Sequence, residues 1–410
     1  MSLAGWAVSA ALAPSSDELA AEGRQLFVHE WTVDDPLSNG GDGLGPVFNA
    51  NSCVACHSQG GVGGAGDNTH NVSAYETLPN RLDRDVHGGV VHAAAVSGVE
   101  PESVEGLRRL FPIVEGGSRV ISGCTVAVAD FDPVVFHEIN TPALFGAGEI
   151  DDISGWSIHQ QVLTRRASNI ASEVGGSFQR TPAGRVRVLS GGRVGKFGWK
   201  AQFATLEEFV ATACAVEVGL SNTLRQQDVP HEHRPDVEAQ PDMTQRQLQG
   251  LVEFCAQLEA PRRELPTDAA ALAAVERGEA LFTEVGCGDC HVPDLGGVVG
   301  LYSDLCLHSI ARPEQETGYG SRPEVPLPED LPRPDEWKTP PLWGVADTAP
   351  YLHDGSAPDL ASAIDAHDGE ADHVMDRYRA LRKTDRELVV RFLETLRTPV
   401  NEDVAVASRE

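Results

Sequence analysis

The sequence predicts a mainly α-helical protein with two tandem domains of the same internal order, long loops, and a small β-hairpin insertion in the first domain. A Cys-x-x-Cys-His motif occurs twice, at 53–57 and 287–291. In each half, one amphipathic helical pattern precedes the motif and another closes the half. The four helical segments are 20–27, 244–261, 274–282 and 384–399. Repetition of the whole order predicts two structurally similar domains.

The repeat also sets the expected domain boundaries. Residues 20–262 form the first domain and residues 263–400 the second, followed by a tail at 401–410. Residues 1–19 are interpreted as a weak or truncated export signal, or a flexible N-terminus. The apolar run at 3–13 has no basic residue before it, which a complete signal would have.

Local patterns predict how particular elements begin. Both closing helices start with a capping-box sequence, in which two side chains satisfy the first backbone N–H groups. Thr244 and Gln247 hold these positions in the first half, and Thr384 and Glu387 in the second. Short β-branched runs separated by glycines at 184–202 predict the small hairpin.

The Cys-x-x-Cys-His spacing is typical of covalent haem attachment. Two thiols three positions apart form thioethers to the vinyl groups of a haem c, and the adjacent histidine ligates the iron. A redox dithiol needs no such histidine, and a structural zinc site needs four neighbouring ligands. We therefore expect two covalently attached haem c groups, held by Cys53, Cys56, His57, Cys287, Cys290 and His291. The order of helices and motif is that of a cytochrome c-type domain, so two such domains in tandem are expected.

Composition limits the partners and the compartment. The chain has 61 acidic and 32 basic residues, and its net charge of −29 disfavours binding to nucleic acid or anionic membranes. An acidic surface suits a basic electron-transfer partner, with solubility as the alternative explanation. No segment approaches the roughly 18 apolar residues of a membrane span. Bacterial haem c is attached outside the cytoplasmic membrane, so a periplasmic location is expected.

Four cysteines lie outside the two motifs: Cys124, Cys214, Cys255 and Cys306. In an oxidising compartment they could form disulfides in any of three pairings. The alternative, which we favour, is that they are small buried residues without a disulfide.

Longer phrases resemble a known family. The run at 338–371, which contains Thr-Ala-Pro-Tyr-Leu-His-Asp-Gly, resembles the C-terminal signature of the bacterial di-haem cytochrome c peroxidase superfamily. The segments 43–66, 197–210 and 286–308 are similar to its di-haem oxidoreductase family, often labelled thiol oxidoreductase. The resemblance covers nearly all of 20–397 and implies a peroxidase-like enzyme. In such an enzyme a donor protein, such as a small cytochrome or a cupredoxin, reduces the C-terminal haem, and hydrogen peroxide is reduced at the N-terminal haem.

The resemblance also implies ligands and acids near the irons. His367 lies at the position of the peroxidases' Met ligand, 14 residues after the His of His-Asp-Gly, and would face His291 across the second iron. The position of their sixth ligand at the first iron is occupied by Asp132, so the first haem is expected to be open to peroxide. Glu149 and His137 flank the phrase Asn-Thr-Pro-Ala-Leu-Phe-Gly and are the candidate catalytic groups for O–O cleavage.

Two further features follow from the resemblance. A calcium ion between the haems would be held by Asn140, Thr348 and Pro350, whose oxygen atoms suit calcium. The alternative is that these residues serve only turns and packing. Trp156, 16 residues after Asn140, would lie on an electron path between the haems, or else be a buried core aromatic.

Two other functions stay open at this point. The chain could be a di-haem electron-transfer cytochrome without turnover, in which each iron has two protein ligands. It could also be an oxidase of a protein or thiol substrate. Peroxide or cyanide binding to one haem would exclude the first alternative, and peroxidase turnover with reduced cytochrome c would exclude the second.

Overall fold

The computed structural model describes residues 14–121, 123–174, 181–230, 240–310 and 331–399. Helices dominate these ranges, as the sequence predicts, and none of those helices is long and apolar enough to cross a membrane. The described ranges contain eleven α-helices, numbered here in chain order: α1 Ser16–Val28, α2 Cys53–Cys56, α3 Val104–Leu110, α4 Ala147–Asp152, α5 Gly155–Val174, α6 Leu206–Glu217, α7 Gln245–Ala256, α8 Ala269–Val285, α9 Leu360–Asp365, α10 Asp372–Ala380 and α11 Lys383–Leu393. The apolar run at 3–13 and the tail at 401–410 lie outside the described residues.

Short antiparallel strands complete the fold. They are β1 Val47–Phe48, β2 Val72–Thr77, β3 Gly88–Val91, β4 Ala94–Ala95, β5 Gly117–Ile121, β6 Cys124–Val128, β7 Val134–Ile139, β8 Arg262–Arg263, β9 Leu307–Ser309, β10 Glu336–Lys338 and β11 Leu396–Arg397. The largest sheet has the order β3-β2-β7, and β5 pairs with β6. We call residues 72–139 the inserted lobe. It has a small apolar core of its own, formed by Leu78, Val114, Phe131 and Val135.

The hairpin expected at 184–202 does not form as a pair of strands in this described segment. Single β-bridges join Val188 to Val194 and Phe197 to Phe203, around a 3-10 turn at Ser190–Gly192. The last two turn residues are glycines with φ of +77°, a conformation that ends a strand. Regular strands lie in the inserted lobe instead, where the sequence interpretation placed none.

Two pairs of helices cross at glycines. Helix α1 crosses α7 where a Cβ on Gly23 would lie 1.8 Å from the carbonyl oxygen of Gly250. Helix α8 crosses α11 where a Cβ on Gly278 would lie 2.0 Å from the carbonyl oxygen of Leu388. Only glycine allows backbones to approach so closely. The first and last helices of each half therefore cross in the same way.

Aromatic rings repeat with the helices. Phe27 on α1 packs against Phe254 on α7 at a ring-centre distance of 5.1 Å, and Phe282 on α8 packs against Phe392 on α11 at 5.3 Å. The first ring of each pair also lies beside the motif histidine of its half, at 6.1 and 6.4 Å. The internal repeat is thus visible in three dimensions.

The two halves nevertheless share a core. The largest buried apolar cluster contains Leu251 and Phe254 from the first half together with Leu295, Leu301 and Leu305 from the second. The crossing helix pairs fall on either side of the expected boundary, but apolar packing continues across it. Movement of one half against the other would expose this shared cluster to water.

One of the two predicted capping boxes forms. The Thr244 hydroxyl oxygen accepts the backbone N–H of Gln247 at 3.2 Å, and the Gln247 side chain accepts the backbone N–H of Thr244 at 2.8 Å. The second box was predicted wrongly, because α11 begins at Lys383 and Arg382 is the N-cap residue. The Arg382 guanidinium donates to the Asp385 carboxylate at 2.8 Å, which places an acidic group at the helix start without help from a threonine.

Replacing Gly23 with alanine is expected to destabilise the protein, because the new methyl group would meet the Gly250 carbonyl at the crossing. Overpacking of this kind costs about 1–3 kcal/mol, measured as a lower unfolding midpoint in denaturant. Ala21→Ser on the exposed side of α1 is the control, with an expected change within about 0.5 kcal/mol. Equal midpoints for the Gly23 variant and the wild type would contradict a tight crossing.

Candidate haem sites

The first motif lines a cavity of about 550 Å³. Cys53 and Cys56 lie at the two ends of the single-turn helix α2, and His57 follows at once. The Nδ1 atom of His57 lies 3.1 Å from the Gly64 carbonyl, so Nδ1 carries the proton and the lone pair is on Nε2. Burial lowers the pKa of His57 to about 4, so the ring is neutral, as an iron ligand must be.

The second motif repeats this arrangement with a second histidine opposite. The Nδ1 atom of His291 lies 3.0 Å from the Tyr302 carbonyl, and the Nδ1 atom of His367 lies 2.8 Å from the Ala363 carbonyl. The two imidazole ring centres are 6.4 Å apart. This separation leaves room for one metal ion between the rings, because an imidazole nitrogen lies about 2 Å from the metal it binds. The residues therefore fit a haem iron with two histidine ligands.

The motif thiols do not have the properties of a redox dithiol. Burial raises the pKa of Cys53 to about 12 and that of Cys287 to about 12. A reactive dithiol has an attacking thiol with a lowered pKa, since the thiolate is the nucleophile. Buried, protonated thiols fit haem attachment better than disulfide exchange.

The inserted lobe supplies polar groups to the wall of the first cavity. His137 on β7 and Glu76 on β2 both line it, and His137 Nε2 lies 3.2 Å from a Glu76 carboxylate oxygen. Burial alone would raise the pKa of Glu76, but the hydrogen bond from His137 and the charge of nearby Lys200 lower it. Glu76 is therefore ionised at neutral pH.

The two candidate catalytic residues from the sequence lie in different environments. His137 faces the cavity, whereas Glu149 is exposed on α4 and does not line it. Sequence reasoning missed Glu76, which lies 61 residues before His137 in the chain. The register of β2 with β7 brings the pair together, since His137 is opposite Ala74 and Glu76 is two residues further along the same face.

Trp156 does not lie where either interpretation put it. It is 69 % exposed on α5, because this helix buries Ile158, Val162 and Arg165 on its opposite side. A different tryptophan, Trp337 on β10, lines the first cavity and stacks on His353 at a ring-centre distance of 3.5 Å. The buried aromatic contact at the first cavity therefore comes from the C-terminal half.

The expected calcium ligands are only partly brought together. The side-chain amide of Asn140 donates to the Gly66 carbonyl at 3.1 Å and to Asn71 at 2.9 Å. The Thr348 hydroxyl donates to the Gly344 carbonyl at 3.4 Å, within its own turn. Pro350 follows a cis peptide bond in the same segment. The calcium site stays a prediction.

None of the eight cysteines, all within the described residues, forms a disulfide. Cys214, Cys255 and Cys306 are buried, as the favoured alternative predicts. Cys124 is exposed, which corrects the expectation that all four would be buried. It begins β6 directly after the turn that joins β5 to β6, where a side chain has little around it.

A buried charge network lies beside the second motif. Arg165 on α5 donates to the Asp304 carboxylate at 2.6 Å, and Asp304 pairs with His308 at 2.9 Å. The Nδ1 atom of His308 lies 3.7 Å from the Cys290 sulfur. Burial alone would lower the pKa of His308, but Asp304 raises it well above its usual value. Both groups are therefore charged, and α5 is tied directly to the motif.

Glu217, at the end of α6, is expected to make stability depend on pH. It lines the first cavity, and burial raises its pKa to about 7 from the usual 4.5 although Asn49 donates to it at 2.6 Å. Between pH 4.5 and 7 the folded protein keeps a proton that the unfolded chain has lost, so stability falls as pH rises through this window, by roughly 3 kcal/mol.

Unfolding midpoints at a series of pH values test this expectation. Glu217→Gln should flatten the fall, because the amide cannot ionise. Glu207→Gln, in the first turn of the same helix, should retain the wild-type profile. A fall of the same size in the Glu217 variant would show that another group causes it.

Each Cys-x-x-Cys pair is followed directly by a neutral histidine whose Nε2 atom is available to a metal. This arrangement defines a protein with two haem sites. A family model described as "Di-haem oxidoreductase, putative peroxidase" matches residues 176–396. The chain belongs to this di-haem oxidoreductase family, so haem cofactors and electron-transfer chemistry are part of its function.

Other comparisons add little. A search of curated proteins finds no match. Among solved structures, xenon-pressurised hydrazine synthase of Kuenenia stuttgartiensis is 18 % identical, with 63 % of this chain and 72 % of that chain covered and a TM-score of 0.36. A MauG-like protein associated with microbial copper homeostasis is 17 % identical, with 51 % and 71 % covered and a TM-score of 0.32. Likeness at this level is too low to argue from.

Proposed function

We propose that this chain is a periplasmic di-haem c-type oxidoreductase of peroxidase type. A donor protein delivers electrons to the second site, and hydrogen peroxide is reduced at the first. The observation that carries the proposal is the difference between the sites. The ring of His367 faces His291, whereas among the described residues no second histidine ring contacts His57, and the lining of the first cavity includes no methionine.

The proposed ligands follow from this difference. Cys53 and Cys56 would hold the first haem by thioethers, with His57 as the protein ligand of its iron. Cys287 and Cys290 would hold the second, with His291 and His367 as the ligands of its iron. When bound, the haems supply the two electrons that reduce the peroxide O–O bond. Export to the periplasm is part of the proposal, because thioether attachment in bacteria takes place there.

Reduction of hydrogen peroxide to two waters consumes two electrons and two protons, and we assign the proton handling to Glu76 and His137. The ionised Glu76 carboxylate accepts a proton from the incoming peroxide, directly or through His137 at 3.2 Å. The pair then returns this proton to the leaving oxygen, and the two protons consumed overall come from solvent water. The hydrogen bond with His137 and the charge of the neighbouring Lys200 keep Glu76 ionised at neutral pH.

Trp337 is the proposed contact between the two sites. Its ring lies on the wall of the first cavity and is only 2 % exposed, while its backbone belongs to β10, which pairs with β9 next to the second motif. His308 on β9 is opposite Trp337 in the register and lies 3.7 Å from the Cys290 sulfur. The paired strands β10 and β9 would therefore connect the wall of the first cavity to the second motif.

A low-temperature EPR spectrum of the ferric holoprotein tests the proposal. We expect one low-spin signal from a haem with two histidine ligands and one high-spin signal from a haem with a single protein ligand. Addition of peroxide or cyanide should change the high-spin signal alone. Two low-spin signals, neither of them altered by cyanide, would contradict the proposal and favour an electron-transfer cytochrome.

A further inference from the structure

The outer face of α5 carries an apolar stripe. Trp156, Leu163, Ile170 and Val174 are 69 %, 64 %, 63 % and 86 % exposed. Their spacings of seven and four residues place them on one side of the helix. We call these four residues the α5 stripe. Four exposed apolar side chains on one helix face of a chain with a net charge of −29 indicate an interaction site, and tryptophan is enriched among the anchors of such sites.

The inner face of the same helix contacts the second haem site. Arg165 reaches Asp304 at 2.6 Å, and this network continues through His308 to the Cys290 sulfur. The loop after His291 also packs against the helix start, where a Cβ on Gly296 would lie 2.9 Å from Ile153. Since a helix with its side chains is about 10–12 Å thick, a protein bound on the stripe lies one helix away from this site.

Charge indicates what kind of protein binds there. Asp152 and Glu173 are exposed near the two ends of the stripe, and Asp294 is exposed on the loop that packs against the helix start. Arg166 is also exposed on α5, so the acidic residues outnumber the basic ones by a small margin. Beside Trp156, Lys196 is paired with Asp151 at 3.2 Å and Arg193 with Glu208. Two copies of a chain with a net charge of −29 would repel each other, whereas a basic protein would be attracted.

We propose that the α5 stripe is the docking surface of the electron donor, a small redox protein with an apolar patch inside a basic rim. This inference rests on the proposed function, because it requires electrons to enter at the second site. The stripe supplies apolar contact area at the centre, and the acidic residues around it steer the donor. The inner face of α5 then places the donor next to the Cys290 side of the second site.

Stopped-flow mixing of ferrous basic cytochrome c with the ferric holoprotein tests the docking surface. The double variant Trp156→Ser/Leu163→Ser should lower the bimolecular rate constant about tenfold or more. Trp156→Ser alone should also lower the rate constant, whereas Trp156→Phe, which keeps an aromatic ring, should retain most of the wild-type rate. Leu82→Ser, at a position 70 % exposed on the inserted lobe, is the matched control and should react at the wild-type rate. Ascorbate with a small mediator should reduce all variants equally.

The outcomes separate the possibilities. A wild-type rate for the double variant with cytochrome c would overturn the docking surface. A wild-type dimer in sedimentation that the double variant converts to a monomer would also overturn it, because a second copy would then cover the stripe. Failure of the proposed function has a different signature: the wild-type protein would accept electrons from cytochrome c at a rate that depends on the stripe, yet consume no peroxide.

Discussion

His367→Ala is expected to abolish the low-spin ferric signal of the second haem and leave two high-spin signals. His367 is the residue whose ring faces His291 at 6.4 Å, and it is held there by its Nδ1 contact with the Ala363 carbonyl at 2.8 Å. Alanine leaves one face of the second iron without a protein ligand, so a water or an added anion takes its place. EPR measures the change, and a cyanide titration should rise from one bound equivalent to two.

His373→Ala is the matched control, since it removes a nearby histidine on α10 that has no ring contact with His291. This control should retain one low-spin and one high-spin signal. A low-spin signal that survives in the His367 variant would show that another side chain ligates the second iron. Haem content by pyridine haemochrome assay should equal two in both proteins, because attachment depends on the cysteines.

The repeat could be predicted from sequence because it rests on local patterns. Gly23 and Gly278 occupy the same place in two similar helical phrases, and the structure uses both for a close crossing. The Thr244 capping box also follows from four consecutive residues, and it forms. The Thr384 box, with Glu387 in place of a glutamine, does not form, because the helix begins two residues earlier with Arg382 as its N-cap. Local patterns therefore predict that a helix forms more reliably than they predict the residue at which it begins.

The composition of the first cavity wall could not be predicted in the same way. Glu76 contacts His137 only because β2 pairs with β7. Local sequence patterns do not predict the register between two strands whose paired residues lie about 61 positions apart. Trp156 and Trp337 show the same limit. The family spacing favoured Trp156 as the link between the sites, but α5 buries Ile158 and Val162 and therefore turns Trp156 toward solvent. Strand β10 places Trp337 at the cavity instead.

Glu76→Gln is expected to lower kcat/KM for hydrogen peroxide by about 10²–10⁴-fold, because the amide cannot accept the peroxide proton. The variant should retain both haems and the wild-type EPR spectrum, since Glu76 is not an expected iron ligand. Glu138→Gln is the matched control. Glu138 follows His137 in the chain and is exposed on the opposite face of β7, so this variant should keep wild-type turnover. Peroxide consumption with a reduced small cytochrome as donor measures both.

The pH dependence gives an independent test of the same group. The pKa of Glu76 is lowered from 4.5 by its hydrogen bond with His137 and by nearby cations, which outweigh burial. The carboxylate is therefore available throughout the neutral range, and the rate should fall only as the pH drops below about 4.5, when the carboxylate becomes protonated. In Glu76→Gln this decrease in rate at low pH should disappear, and the low residual rate should not depend on pH. An acid limb of unchanged position and depth in the variant would assign proton acceptance to another residue of the cavity.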